Sequence, residues 1–181
     1  RFAYGSGSSA LKQVAISMTV VAIIQARMGA SRLPGKVLED LAGKPVLAWV
    51  VDAAIATIGI DRVCVATSDA GTDDVIVDWC HENGITCYRG PEQDVLARFA
   101  IAAAAEKARI ILRLTADCPL LDPAVCAQVL QLLIREDADY ASNVDPASWP
   151  DGLDCEAFTV KALNEAAAHA TRTAAREHVT P

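Results

Sequence analysis

The chain has 181 residues, 52% of them hydrophobic, a formal net charge of −7 and a sequence pI of about 4.9. One domain of this length and mean hydropathy (+0.26) can bury a sizeable core, which excludes disorder as its main state, and the acidic balance argues against a general binder of nucleic acid or anionic membrane. Aromatic residues make up only 5%, so Ala, Val, Ile and Leu carry the apolar content, as in a layered α/β domain and unlike an aromatic-rich all-β module.

Residues 1–17, with Gly5-Ser6-Gly7-Ser8-Ser9, read as a linker, tag or upstream extension, and the folded domain is expected over residues 18–181. The weakly polar run 14–24 is too short to span a bilayer. No small-x-small cleavage signature follows it at Gln25-Ala26-Arg27, so a cytoplasmic protein is expected. Residues 20–26 form a continuous apolar run that predicts a buried parallel strand, followed by a loop containing Gly29, Pro34 and Gly35. Pro45 opens a helical pattern to about residue 58, and residues 62–67 give a second strand. Thr72-Asp73-Asp74 begins an acidic-first helix to about residue 82, closed by Asn83-Gly84, and residues 85–88 make a short third strand.

Residues 92–108 predict an Ala-rich helix and 109–116 a fourth strand. Asp122-Pro123 caps and opens a helix to about residue 135. Residues 138–142 and 154–159 predict two more strands around a loop with Pro146, Pro150 and Gly152, and the remainder is helical. Strands alternating with helices imply a mostly parallel sheet covered on both faces, with ligands at the carboxyl ends of the strands.

Charge is unevenly spread. Glu39 is the first acid; before it come Arg1, Lys12, Arg27, Arg32 and Lys36, so the remaining residues carry a net −12. Basic residues around glycines at the end of the first strand point to a local anion site, because glycine lets backbone N–H groups approach a phosphate and the cations offset its charge. The loop is neither a Walker A motif, which spaces its glycines differently and follows the Lys with a hydroxyl residue, nor G-x-G-x-x-G. A surface loop of solvated charges is the competing reading.

Farther along, Arg113, Thr115 and Asp117 alternate with apolar residues and share a face at a strand's carboxyl end. Asp117 is either a Mg²⁺ ligand or a cap on local N–H groups. Asp94 and Arg98 are spaced for an i,i+4 pair, which competes with a nucleotide contact. Thr67 ends a strand and either lines the pocket or begins a turn. Asp154 and Glu156 either touch an acceptor or a second metal, or decorate an exposed strand face. The six cysteines show no zinc spacing and read as reduced thiols; Cys118 has no His placed to activate it.

These stretches resemble the cytidylyltransferases, including CMP-KDO synthetase and the spore coat polysaccharide biosynthesis protein F group. The resemblance is carried by Ala22-Ile23-Ile24-Gln25-Ala26-Arg27, by Ser31-Arg32-Leu33-Pro34-Gly35-Lys36-Val37-Leu38 and by Leu41-Ala42-Gly43-Lys44-Pro45. Further on it includes Ala66-Thr67-Ser68-Asp69, Asp94-Val95-Leu96-Ala97-Arg98-Phe99, Arg113-Leu114-Thr115-Ala116-Asp117-Cys118-Pro119-Leu120, Pro150-Asp151-Gly152-Leu153-Asp154 and Arg176-Glu177-His178-Val179-Thr180-Pro181.

The resemblance implies a three-layer, doubly wound, Rossmann-like nucleotide-diphospho-sugar transferase (GT-A-like) fold. It also implies transfer of CMP from CTP to a sugar acid or related acceptor, with release of pyrophosphate and use of Mg²⁺. Arg27, Lys36 and Asp117 would be catalytic, with Asp117 on the metal. Ala26, Gly29, Ser31, Arg32, Gly35, Thr67, Asp94 and Arg113 would join Arg27 and Lys36 around the nucleotide, and Asp154 and Glu156 would face the acceptor. The expected partners are CTP and a small acceptor, with a homodimer left open. By the same resemblance, members of the family continue with further strands beyond the position of Pro181, where CMP-sugar synthetases usually place a second metal-binding Asp, so a C-terminally truncated domain is expected. Two other functions stay open. One is a glycosyltransferase using a nucleotide sugar, for which Asp137-Ala138-Asp139 is the available metal motif; the other is a non-catalytic nucleotide-binding module of a larger protein.

Overall fold

A computed structural model describes residues 18–30 and 33–179. The proposed N-terminal extension, Ser31 and Arg32 lie outside the described residues. The central sheet begins with β1 (Val20–Gln25), whose residues through Ile24 are buried on both faces. A left-handed Gly35 and a short 3-10 turn lead to a hairpin, β2 (Asp40–Leu41) and β3 (Lys44–Pro45), in a stretch the sequence leaves as loop. Ala42 and Gly43 take positive φ in its turn, and the Asp40 carboxylate accepts from Gly43 N–H.

Then follow α1 (Val46–Ala56), β4 (Arg62–Ser68), α2 (Asp74–Glu82), β5 (Thr86–Gly90), α3 (Val95–Ala105), β6 (Ile110–Thr115) and α4 (Pro123–Arg135). The chain continues through β7 (Tyr140–Ser142), β8 (Glu156–Thr159), α5 (Val160–His169) and α6 (Thr173–His178). Side-chain caps set several helix starts: Asp94 accepts from Ala97 N–H, Asp122 from Ala124 N–H and Thr159 from Ala162 N–H. Helix α3 therefore starts at Val95, three residues later than composition alone indicates.

The six-stranded sheet has the order β5-β4-β1-β6-β8-β7. All strands are parallel except β8, which runs against both β6 and β7. Period-two alternation sorts β1 between two cores. Val20, Ala22 and Ile24 pack with Leu47 of α1, Ile76 of α2 and Leu130 of α4, whereas Val21 and Ile23 pack with Phe99 of α3 and Leu163 of α5. The result is a three-layer, doubly wound, Rossmann-like fold with the ends of β1, β4 and β6 side by side. Among the described residues no helix is long and apolar enough to cross a membrane.

Leu112, fully buried in β6, fills the first of these cores. Leu112→Ala should cost about 2–5 kcal/mol in urea unfolding; a loss below about 1 kcal/mol would show that the sheet is not packed as described.

Candidate active site at the carboxyl edge of the sheet

The glycine-containing loop leaves β1 and is pinned at its start. Asp73, only 1% exposed, accepts from Met28 N–H at 2.8 Å, from the Thr67 hydroxyl at 3.1 Å, and from Ser68 through its N–H (3.2 Å) and hydroxyl (2.5 Å). One carboxylate thus ties the loop to the end of β4. Burial works against its charge, but the Ser68, Met28 and Thr67 hydrogen bonds prevail and hold its carboxyl below the ordinary value. Met28 C=O in turn accepts from Ala30 N–H and Gly35 N–H, both at 2.9 Å, closing the loop on itself. Gly35 has φ +78°, and a Cβ there would meet the Met28 side chain at 3.2 Å; a Cβ on Gly29 would meet nothing within 4 Å.

Between this loop and the ends of β1 and β6 lies a cleft of about 380 Å³. Ala26, Arg27 and Lys36 from the loop line it, with Thr115 and Asp117 from the end of β6. Lys36 Nζ reaches Asp117 Oδ2 at 2.5 Å, and both side chains keep more than a third of their surface exposed. Burial opposes ionisation of Asp117, but Lys36 outweighs it and depresses its pKa. The two residues picked from separate motifs therefore meet at the mouth of the cleft.

Arg98 adds a cation that the sequence reading set aside. The expected Asp94–Arg98 pair is not formed. Asp94 caps α3 and pairs with Arg176 at 2.7 Å, while Arg98 donates to the carbonyls of Pro91 and Glu92. Arg98 lines the cleft at 2% exposure, and its Nε has no hydrogen-bond partner. Burial first, and then the charge of Arg27, work against its protonated state. A buried guanidinium with carbonyl partners and an orphan donor on a cleft wall is suited to an anionic ligand. Its helical spacing from Asp94 hid this role, because burial is not written in an i,i+4 pattern.

Other sequence candidates sit differently. Thr67 is fully buried and serves Asp73, so it supports the loop from behind and does not line the cleft. Asp94 likewise stands behind the wall formed by Val95 and Arg98. The Arg113 guanidinium pairs with Glu156 and donates to Gln25, which lines the cleft, so Arg113 stands one residue behind the lining and is not part of it. Glu156 is 4% exposed, which corrects the exposed-face reading: β8 starts at Glu156, and its face packs toward Arg113 and Tyr140. Asp154 precedes the strand; burial, then the neighbouring Asp151 carboxylate, raise its pKa. Cys118 contacts the Thr115 hydroxyl, and burial chiefly raises its thiol pKa, as for an unreactive cysteine. The Asp137–Asp139 motif precedes β7, at the opposite edge of the sheet from the cleft; Asp139 accepts from Thr159 and pairs with Lys161.

A sequence profile described as cytidylyltransferase matches residues 21–181. The chain belongs to the cytidylyltransferase family. It is 35% identical over 164 residues to an uncharacterised protein of Methanocaldococcus jannaschii, covering 91% of this chain and 66% of that protein. It is 38% identical over 125 residues to the spore coat polysaccharide biosynthesis protein SpsF of Bacillus subtilis (67% and 52%). It is 32% identical over 133 residues to the 3-deoxy-manno-octulosonate cytidylyltransferase of Vibrio cholerae (69% and 50%). The chain thus spans half to two thirds of the length of these curated relatives. A solved cytidylyltransferase from Leptospira borgpetersenii superposes with a TM-score of 0.85 at 30% identity, covering 91% of this chain and 70% of that one.

Because the folded state holds the Asp73 pKa below the ordinary carboxylate value, its contribution is complete above that ordinary value and is lost as pH falls through the lower folded value. Asp73→Asn should lower stability at neutral pH by about 2–3 kcal/mol and flatten the acid limb of the stability profile. Unfolding measured from pH 7 to pH 2 checks this; an unchanged acid limb contradicts it.

Proposed function

We propose that the domain transfers CMP from CTP to a sugar acid or related acceptor, releasing pyrophosphate, in the synthesis of surface polysaccharide or glycoconjugate, in the cytoplasm. The observation that carries this reading is the cleft itself, where Arg27, Lys36 and the buried, incompletely bonded Arg98 line one cavity together with Asp117. The name of the 3-deoxy-manno-octulosonate cytidylyltransferase relative supports CTP as donor and a sugar acid as acceptor, and that of the SpsF relative supports a place in polysaccharide synthesis.

In the proposed reaction an acceptor hydroxyl oxygen attacks the α-phosphorus in line. The new O–P bond forms as the bond to the bridging oxygen breaks, pyrophosphate leaves, and the acceptor proton passes to solvent. Arg27 and Lys36 would stabilise the charge that gathers on the departing phosphates, and the loop amides would orient them. Lys36 leaves its bond with Asp117 to do so.

Among the described residues no three His, Cys, Asp or Glu side chains form a ready-made metal cage. A half-exposed Asp117 beside a phosphate cleft nevertheless fits Mg²⁺, which usually takes one or two carboxylates together with substrate phosphate oxygens. Asp117 would hold the ion, whose chemistry is to neutralise phosphate charge. The glycosyltransferase reading loses its metal motif, which lies at the far edge of the sheet.

Pyrophosphate release should be seen with CTP and one of a panel of sugar acids, sugar phosphates and phosphonates, and not with UTP or ATP. Lys36→Ala should reduce turnover by roughly 10²–10³-fold with Tm unchanged. Asp117→Asn should shift the Mg²⁺ titration to higher concentration. Unchanged turnover in the first variant, or an unaltered metal titration in the second, would remove that residue from its role.

A further inference from the structure

A chain of polar side chains runs along the α3 face of the sheet and ends in the cleft. The Tyr140 hydroxyl of β7 donates to Glu156 Oε1 at 2.5 Å, Arg113 of β6 pairs with Glu156 Oε2, and Arg113 Nε donates to Gln25 Oε1 at 3.2 Å. The register supports this path: Arg113 lies opposite Glu156 on one side and opposite Ile23 of β1 on the other, one inward-facing position before Gln25. Glu156 and Arg113 are mostly shielded from water, whereas Gln25, at the carboxyl end of β1, lines the cleft.

The orientation of the Gln25 amide follows from elementary chemistry. A guanidinium carries donors and no acceptor, so the amide atom facing Arg113 is the oxygen. The two N–H donors of Gln25 then face away from Arg113. A cation on the oxygen also polarises the amide and strengthens its N–H groups as donors to an anionic oxygen. A shielded Arg–Glu pair adds little net stability, because desolvation offsets its attraction, so stability alone is a weak reason to maintain one here.

We propose that Gln25 binds the nucleotide directly, donating through Nε2–H to one of its oxygens, and that Arg113, Glu156 and Tyr140 are the positioning residues that hold its amide in that sense. This rests on the reading of the cleft as a CTP site. It gives Arg113 and Glu156, which do not line the cleft, an indirect function.

The test is calorimetric titration of CTP with Mg²⁺ into the wild type, Gln25→Met and Gln25→Glu, with Tm measured for each. Gln25→Met, a neutral side chain of similar length without donors, should bind about tenfold more weakly. Gln25→Glu should bind at least as weakly while keeping the wild-type Tm or exceeding it, since its carboxylate still accepts from Arg113. Gln25→Met binding within twofold of wild type would overturn the proposal. So would a Gln25→Glu protein that binds like wild type, because the amide would then serve the fold alone. Either result with a wild type that binds CTP sinks this inference and leaves the functional reading standing; a wild type that does not bind CTP sinks both.

Discussion

One buried carboxylate organises the candidate site. Asp73 receives donors from two segments, the end of β4 and the first turn of the loop after β1, and so fixes where that loop begins. A doubly wound sheet offers a crevice at the carboxyl ends of its strands, but it does not by itself hold a loop in one conformation. Four hydrogen bonds to a single shielded anion do this here, and the second closure, from Gly35 N–H to Met28 C=O, brings Lys36 back over the crevice. The left-handed Gly35 is the backbone condition for that return.

The charges around the crevice are arranged in two ways. Lys36 and Asp117 neutralise each other at the mouth, where solvent weakens their attraction and leaves them able to exchange partners. Arg98 stands deeper, with carbonyl partners and one orphan donor. In the proposed reaction the surface pair would open to take up a phosphate and a cation, and the buried guanidinium would supply a fixed positive wall. An anionic ligand would satisfy both, which favours the reading of a polyphosphate site over that of a site for a neutral sugar alone.

Much of this was legible in the sequence. The apolar run of β1, the Asp122-Pro123 start of α4 and the Asn83-Gly84 stop of α2 are local signals, and each appears close to its expected place. Lys36 and Asp117 could be nominated from separate motifs. What could not be read depends on contacts between distant segments. Asp73 looks like an ordinary first-turn acid until the fold carries Met28 to it across 45 positions. Arg98 has the spacing of a surface partner for Asp94, yet α3 buries it and α6 supplies Arg176 in its place. The antiparallel direction of β8 was equally hidden, because alternation gives a strand its faces and not its neighbours; that direction turns Glu156 from a surface acid into the partner of Arg113.

The central claim is that the loop between β1 and the 3-10 turn receives a nucleotide triphosphate while Lys36 exchanges Asp117 for phosphate. The most direct measurement is a crystal structure grown with CTP and Mg²⁺. The account predicts phosphate oxygens against the Arg27 and Gly29 N–H groups of the loop, Lys36 Nζ on the β- or γ-phosphate, and Asp117 released from its ion pair. A nucleotide bound elsewhere, with the Lys36–Asp117 pair intact and the loop amides facing solvent, would contradict it.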